Sequence, residues 1–257
     1  MRMWDRRAFV RAGVALAGGA TLGGCRPEPT APEEDTSVSF RLTARPGTPS
    51  TTAPTGADWL NLNTTGRDAI LYVPPTYDPD TPAPLLVTLH GRGGGAIDWD
   101  GFHPKCDARD MIMLAVESRG VTWDLLSGSY GPDVGYIDQA LGRVFEQCAI
   151  DPDHVALAGF SDGASYALSL GPTNGDLFTH VIAFSPGFAA PAAEPFGDPG
   201  IWISHGWSDA VLSPERTEEV IVPGLQDLGY AVDFVGFDGG HEVPAAISNR
   251  ALDWFQS

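Results

Sequence analysis

Positive charge is scarce in this sequence of 257 residues, since 15 lysines and arginines face 33 aspartates and glutamates. The formal net charge of −18 repels phosphate groups at long range, which argues against nucleic acid and anionic membrane surfaces as partners of the folded body. Long apolar runs are also missing, because no uncharged apolar stretch reaches the roughly 18 residues typical of a membrane-spanning helix. The hydrophobic fraction of 43% is nevertheless enough for a folded domain with a sizeable core.

The sequence also lacks common metal-binding motifs and has few cysteines. The sequence contains neither an H-E-x-x-H nor a C-x-x-C pattern, so we expect no metal ion. Only three cysteines occur. Cys106 and Cys148 could pair as a disulfide in an oxidising compartment or remain as two buried free thiols, and the sequence leaves both alternatives open.

The first 24 residues have the layout of an export signal. Four arginines and one aspartate precede a charge-free stretch rich in alanine, glycine and leucine at residues 12–22. The run D-R-R-A-F-V-R at 5–11 resembles a twin-arginine signal, and L-G-G-C at 22–25 resembles the lipobox at which bacterial lipoproteins are cleaved and acylated. We therefore predict a signal peptide at residues 1–24, a lipid anchor on Cys25, and an exported protein held at a membrane of the bacterial cell envelope.

The rest of the chain divides into a short tether and one body. Residues 25–35 are rich in proline and acidic residues and predict an extended tether, whereas no linker divides residues 36–257. In this body, strand-like and helix-like runs alternate, which predicts an α/β domain with a mostly parallel sheet, helices on both faces and an antiparallel N-terminal edge. The predicted strands are 38–44, 69–73, 85–89, 111–116, 155–158, 181–184, 201–204 and 232–237, and the predicted helices are 132–149, 162–170, 214–228 and 243–255.

The pentapeptide G-F-S-D-G at residues 159–163 has the G-x-S-x-G pattern of a nucleophilic serine. Alone it is a weak signal, because a Gly/Ser turn without chemistry has the same sequence. Its context strengthens it, since an apolar run precedes it and a helical pattern follows. Ser161 should therefore lie where a strand turns sharply into a helix, with its hydroxyl lifted out of the sheet and the two glycines relieving crowding.

A glycine loop, L-H-G-R-G-G-G at residues 89–95, follows another apolar run and frees backbone N–H groups. A phosphate-binding loop is the alternative, but G-x-x-x-x-G-K-[ST] is absent. The loop resembles the His-Gly oxyanion loop of α/β-hydrolases, in which the amide of Arg92 would join that of Asp162 in stabilising an oxyanion. We expect His90 to anchor the loop.

A carboxylate and a histidine follow the last two predicted strands. Asp209 lies just beyond the run at 201–204, and His241 lies in the loop after 232–237. The order Ser161, Asp209, His241 is the nucleophile, acid, base order of the α/β-hydrolase fold. His241 would take the serine proton, and Asp209 would fix the tautomer of His241. Asp238, three residues before His241, is the alternative acid.

The motifs L-H-G, G-F-S-D-G, S-H-G-W-S-D and G-G-H together resemble those of serine esterases of the α/β-hydrolase superfamily. They are most similar to the phospholipase/carboxylesterase and polyhydroxybutyrate-depolymerase-like, or feruloyl-esterase-like, groups, from about residue 69 to the C-terminus. The resemblance implies a cofactor-free hydrolase of carboxylic esters. An acyltransferase with the same triad and a non-catalytic surface-binding lipoprotein are the alternatives. Trp99, Trp207 and Phe188 lie in loops near predicted strand ends, where they either line a substrate pocket or pack in the core.

Overall fold

A computed structural model of the protein describes residues 40–62, 66–191 and 196–257. The predicted signal peptide, Cys25 and the tether lie outside these residues. The strands are β1 (Gly56–Trp59), β2 (Ala69–Val73), β3 (Ala83–Leu89), β4 (Ile112–Val116), β5 (Ile150–Phe160), β6 (His180–Phe184), β7 (Gly200–Gly206) and β8 (Val232–Phe237). The α-helices are α1 (His103–Asp107), α2 (Pro132–Gln147), α3 (Asp162–Thr173), α4 (Pro214–Arg216), α5 (Val222–Asp227) and α6 (Ala245–Phe255). A 3₁₀ helix covers Ala96–Phe102, another covers Asp124–Ser127, and a π-helical turn, Thr217–Ile221, joins α4 to α5.

The strands form one sheet in the order β1-β2-β4-β3-β5-β6-β7-β8. β1 and β2 run antiparallel to their neighbours, and all pairs from β4 through β3 to β8 are parallel. This confirms the predicted α/β-hydrolase fold class, with a mostly parallel sheet and an antiparallel N-terminal edge. Because parallel strands end at the same edge, the loops after β3, β5, β7 and β8 all open at one side of the sheet.

Alternating side chains of the strands separate two apolar cores. On β3, Leu85 and Val87 face the core that contains α2 and α3, while Leu86 between them faces the core that contains α1 and α6. All three side chains are fully buried. Helices therefore cover both faces of the sheet, as the alternating pattern predicted.

The predicted strand at 38–44 is wrong for the residues that the structure describes. Residues 40–44 have no strand structure, and β1 occupies the edge instead. The backbone N–H of Leu42 donates to the side chain of Asn174, and those of Thr43 and Ala44 donate to the carboxylate of Asp138. Side chains of α2 and of the residue that follows α3 thus satisfy the amides that a neighbouring strand would otherwise bind.

The two cysteines of the body are free and buried. Cys106 lies in α1 and packs in one core, whereas Cys148 follows α2 and packs in the other. The sheet between them excludes the disulfide that the sequence left open, so the alternative of two free thiols is the one observed. Burial raises the pKa of each thiol to about 12. Among the described residues, no helix is long and apolar enough to span a bilayer.

Candidate active site

The turn from β5 into α3 places Ser161 in a strained conformation, with φ 57° and ψ −117°. Such a conformation costs about 1–3 kcal/mol in a non-glycine residue, and neighbouring structure must hold it. A Cβ at Gly159 would lie 2.2 Å from the carbonyl oxygen of Gly163, and a Cβ at Gly163 would lie 2.2 Å from that of Leu89. Only glycine fits at either position, so the crowding predicted for G-x-S-x-G is observed.

The structure brings Ser161, His241 and Asp209 into one chain of hydrogen bonds. The Oγ of Ser161 lies 2.9 Å from His241 Nε2, and His241 Nδ1 lies 2.6 Å from Asp209 Oδ2. Since a carboxylate accepts only, His241 carries a proton on Nδ1, which leaves Nε2 free to accept the serine hydroxyl proton. The alternative acid, Asp238, is exposed, and the carboxylate that contacts His241 belongs to Asp209.

The side chain of Asp209 is completely buried and well supplied with donors. Its Oδ1 accepts the backbone N–H groups of Val211, at 2.8 Å, and Leu212, at 3.0 Å. Burial by itself would raise the pKa of Asp209, but the hydrogen bonds from Leu212, His241 and Val211 outweigh it and lower that pKa. The carboxylate is therefore ionised at neutral pH and fixed in direction.

Sequence reasoning missed the place of His205. No sequence motif assigns it a role in the site, yet it is fully buried and its Nε2 lies 3.0 Å from Asp209 Oδ2. Burial lowers the pKa of His205, although the neighbouring Asp209 opposes that shift. The signal that could have found it is the spacing of four residues between His205 and Asp209 in S-H-G-W-S-D.

The glycine loop after β3 passes beside Ser161. A Cβ at Gly91 would lie 3.4 Å from the Cβ of Ser161, and residues 91–94 form a turn closed by a 3.0 Å hydrogen bond from Gly94 N to Gly91 O. Gly93, at the third position of the turn, has φ 75°, a conformation that glycine adopts without steric cost. Within the described residues, the backbone N–H groups of Arg92 and Asp162 donate to no other group, so both remain available to a ligand.

His90 fixes the orientation of this loop. Its Nδ1 lies 2.6 Å from the carbonyl oxygen of Gly91, and its Nε2 accepts from the backbone N–H of Ser118 at 3.0 Å. Because a trans peptide is planar, holding the Gly91 carbonyl also fixes the N–H of Arg92, which points the opposite way. Burial lowers the pKa of His90, which keeps this donor and acceptor pattern in place.

A cavity of about 320 Å³ lies beside the serine, with Gly91 and Phe160 in its wall. Trp99 and Phe102 supply further aromatic surface, and the Phe160 ring contacts the His241 ring at a centroid distance of 4.7 Å. Trp99 is buried, and its indole N–H has no hydrogen-bond partner among the described residues. The site thus combines a hydroxyl, a base, two free amides and an aromatic cavity.

The other two predicted pocket residues lie elsewhere. Phe188 lines a separate cavity of about 240 Å³, together with residues of the π-helical turn and α5. Trp207 is 46% exposed and packs against Gly236 and Phe234 of β8. Only Trp99 of the three lines the cavity beside Ser161. No group of three or more histidine, cysteine or acidic side chains suited to a metal ion occurs in the described part of the chain.

Comparison with known proteins finds esterases among the proteins similar to this chain. No protein-family model matches the chain. Feruloyl esterase C of Emericella nidulans is 25% identical over 212 residues, which cover 69% of this chain and 77% of the relative. A phospholipase/carboxylesterase of Dyadobacter fermentans has a TM-score of 0.59 at 21% identity, covering 76% of this chain and 99% of that one. S-formylglutathione hydrolase of Staphylococcus aureus has a TM-score of 0.64 at 15% identity, covering 80% and 100%. The chain therefore has the α/β-hydrolase fold and is similar to esterases both in sequence and in structure.

Proposed function

We propose that this esterase hydrolyses carboxylic esters through an acyl-enzyme on Ser161. The observation that carries the proposal is the unbroken hydrogen-bond chain from Ser161 through His241 to the buried Asp209, at 2.9 and 2.6 Å. A serine hydroxyl is a weak nucleophile at neutral pH, and an adjacent imidazole held by a carboxylate is the usual way to activate it.

The reaction has two halves with the same groups. His241 Nε2 takes the proton of Ser161 as Oγ attacks the ester carbonyl, and the tetrahedral intermediate collapses when His241 returns that proton to the departing alcohol. Water then enters, gives a proton to His241 and attacks the acyl-enzyme, and the proton returns to Ser161 as the carboxylic acid leaves. Asp209 stabilises the positive imidazole in both halves.

The negative oxygen of each tetrahedral intermediate needs donors that are already in place. The free amides of Arg92 and Asp162 suit this role, because one lies on the loop beside Ser161 and the other begins α3. Backbone donors fixed in this way lower the barrier without reorganising during the reaction. We assign the oxyanion hole to these two amides.

The shape and lining of the cavity favour an ester whose acyl group is aromatic. Its volume lies near the lower end of the range for small-molecule sites, roughly 300–1,000 Å³, and Trp99, Phe102 and Phe160 offer flat apolar surface. The similarity to a feruloyl esterase supports the same substrate class, a hydroxycinnamoyl ester.

The substrate proposal is tested by comparing methyl ferulate with a short acetyl ester. We expect a higher kcat/KM for methyl ferulate, and a fall of about tenfold or more in the ratio of the two kcat/KM values on Trp99→Leu. An unchanged ratio in Trp99→Leu would remove the aromatic acyl assignment while leaving the hydrolase mechanism standing.

A fluorophosphonate probe tests the mechanism at its first step. An activated serine reacts with the probe, whereas a non-catalytic surface-binding lipoprotein would not. We expect labelling of Ser161, with loss of labelling in His241→Ala. Adding acceptor alcohols during turnover separates hydrolysis from acyl transfer, because only a transferase converts most of the acyl-enzyme into new ester.

We also propose that the enzyme is exported and lipid-anchored through Cys25. The support lies in the sequence alone: the twin-arginine-like run, the charge-free stretch and L-G-G-C at residues 22–25. Labelled fatty acid should enter the wild-type protein and not the Cys25→Ser variant, and the variant should leave the membrane fraction. Equal labelling of the two would exclude the anchor.

A further inference from the structure

Two imidazoles contact the same carboxylate oxygen in the site. Asp209 Oδ2 lies 2.6 Å from His241 Nδ1 and 3.0 Å from His205 Nε2. His205 is the residue before the end of β7, and the side chains of His205 and Asp209 are both completely buried. A buried pair of this kind is shielded from the solvent screening that weakens exposed pairs.

The neighbours of His205 select one neutral tautomer. Nε2 faces two acceptors, Asp209 Oδ2 and the backbone carbonyl oxygen of Leu212 at 3.1 Å, so this nitrogen carries the proton. Nδ1 lies 2.8 Å from Oγ1 of Thr217, a fully buried hydroxyl that also lies 3.3 Å from the carbonyl oxygen of Pro186 and has one proton for these two acceptors. A neutral ring with Nε2–H that accepts the Thr217 proton at the closer Nδ1 satisfies both ring nitrogens, whereas the reversed tautomer would leave two acceptors facing a lone pair.

Every strong acceptor position of Asp209 is then occupied. The backbone amides of Val211 and Leu212 donate to Oδ1, while His241 and His205 donate to Oδ2. The carboxylate cannot rotate about its Cβ–Cγ bond without breaking several of these hydrogen bonds. Its negative charge is also shared between two imidazole N–H groups and is not concentrated on one.

We propose that His205 is a positioning residue for the reaction: a neutral Nε2–H donor that holds Asp209 in line with His241 and moderates the pull of Asp209 on the His241 imidazolium. This inference rests on the proposed function, because it assigns His205 a role in that same reaction. His205 touches no reacting atom, and its effect passes entirely through Asp209.

Both effects have a definite direction. Removing the His205 donor leaves Asp209 free to turn, which lowers kcat, and leaves more negative charge facing the His241 imidazolium. His241 is then protonated more easily, so the acid limb of the pH–rate profile moves to higher pH. The titratable groups that act on His205 are Asp209, His241 and the exposed Glu215 of α4, and all three stay in place in the variants below.

The experiment compares His205→Leu, which removes the donor, with His205→Gln, whose amide nitrogen reaches toward the position of Nε2. We expect His205→Leu to lower kcat by about tenfold or more, the size of effect that loss of an orienting hydrogen-bond partner has at metal sites. KM should change little, and the acid limb should shift upward. His205→Gln should recover much of kcat and return the limb toward that of the wild type. Equal profiles for Leu and Gln, or a wild-type profile in His205→Leu, would overturn the proposal.

The matched control is His154→Leu. His154 also contacts an aspartate, with Nδ1 2.8 Å from Asp151 Oδ2, but it lies in the first half of β5, seven residues before Ser161 and away from the site. The His154→Leu variant should leave kcat and the acid limb unchanged. That result would show that the effect at His205 is not common to every histidine that pairs with an aspartate.

A second pair of variants keeps the test valid if His205→Leu does not fold. Thr217→Val removes the hydroxyl that fixes the tautomer and keeps the shape, whereas Thr217→Ser keeps the hydroxyl. We expect Val to lower kcat more than Ser and to move the acid limb the same way as His205→Leu. Indistinguishable Val and Ser variants would contradict the role of the tautomer.

The result also separates this inference from the proposed function. A wild-type protein that fails to hydrolyse any ester and takes up no fluorophosphonate refutes the proposed function itself. An active wild type with an unaffected His205→Leu variant refutes only the role of His205. NMR titration of the His241 ring, with and without His205→Leu on the Ser161→Ala background, reads the same coupling without any turnover.

Discussion

Two histidine–aspartate pairs lie at opposite ends of the parallel strands and differ in what surrounds them. His154 Nδ1 lies 2.8 Å from Asp151 Oδ2 near the start of β5, and His241 Nδ1 lies 2.6 Å from Asp209 Oδ2 beyond β7 and β8. The side chains of the first pair are 36% and 32% exposed, and those of the second are 17% and 0% exposed. Nearly the same contact therefore occurs in two environments.

The difference shows that a short histidine–aspartate contact does not by itself make a site. His154 and Asp151 are three residues apart, so the pair forms locally and requires nothing from the rest of the fold. Solvent screens it, and exposed pairs contribute roughly 0–1 kcal/mol. Asp209 and His241 are brought together from separate loops because parallel strands end at the same edge.

The surroundings add what the local pair lacks. Ser161 follows β5 directly, seven residues beyond His154 or about 23 Å along an extended strand, and its hydroxyl meets His241. The pair of His154 and Asp151 instead has a second imidazole, His180, stacked on His154 at a ring-centroid distance of 6.3 Å. Burial, a nucleophile and a donor-saturated carboxylate separate the proposed active site from a surface pair.

The largest expected effect on kcat is at Ser161, because only the pair of His241 and Asp209 has a serine beside it. Ser161→Ala removes the nucleophile and should lower kcat for a small activated ester by on the order of 10⁶-fold. Circular dichroism should show an intact fold, since the side chain only shrinks by one hydroxyl. Retained turnover in a folded Ser161→Ala protein would eliminate the scheme.

The next effect compares the aspartates near His241. Asp209→Asn keeps the shape but permits the wrong histidine tautomer, and kcat should fall by about 10⁴-fold. Asp238→Asn, the exposed alternative, should remain within about twofold of the wild type because no carboxylate–imidazole contact is lost. If Asp238→Asn were the more damaging change, the acid would have to be reassigned.

A smaller effect concerns His180, which neighbours His154, and the pH dependence of the free energy of unfolding. Burial, followed by the nearby His154, lowers the pKa of His180. The folded state therefore binds the proton less readily than the unfolded chain, in which a histidine titrates near 6.5. The stability that neutral His180 contributes is complete above about pH 6.5 and is lost as the pH falls from there through the lower pKa of the folded state.

Urea unfolding at pH 7.5 and 5.0 measures this dependence. The wild type should lose free energy of unfolding on acidification, and His180→Phe should lose less, although buried His90 and His205 act in the same direction. A larger loss in His180→Phe than in the wild type would show that the sign is wrong.

The smallest effect is expected at Asp151, the aspartate that contacts His154. Asp151→Asn removes the charge that contacts His154, and kcat should stay within about twofold while the free energy of unfolding changes by less than about 1 kcal/mol. Ester hydrolysis and urea unfolding check both numbers. A large fall in kcat would mean that the two ends of β5 are coupled, and the contrast between them would fail.

Much of the architecture could be predicted because it depends on local patterns. Apolar runs and helical periods predicted the parallel sheet, and the strand-to-helix context predicted the turn at Ser161. Residues 40–44 show the limit of that reasoning: they alternate like a strand, but the side chains of Asp138 and Asn174 bind their amides. Contacts from residues about 95 and 130 positions away leave no local signal.

The candidate site was predictable to the same extent. Ser161, Asp209 and His241 each lie just beyond an apolar run, so sequence order and strand ends were enough to group them. The contact of His205 with Asp209 needed the curvature of the loop after β7, which four-residue spacing alone does not fix. The cavity combines the 3₁₀ helix before α1 with the start of α6, about 150 residues apart, so local patterns could suggest single aromatic residues of its wall but not how they come together.

The most direct test of the central claim is to trap the acyl-enzyme. The protein is mixed with a slowly deacylating aromatic ester, quenched in acid within milliseconds, digested and analysed by mass spectrometry. We expect the mass of the acyl group on the peptide that carries Ser161, and its absence in His241→Ala. An acyl group on another residue, or rapid hydrolysis with no covalent species at any time, would contradict it.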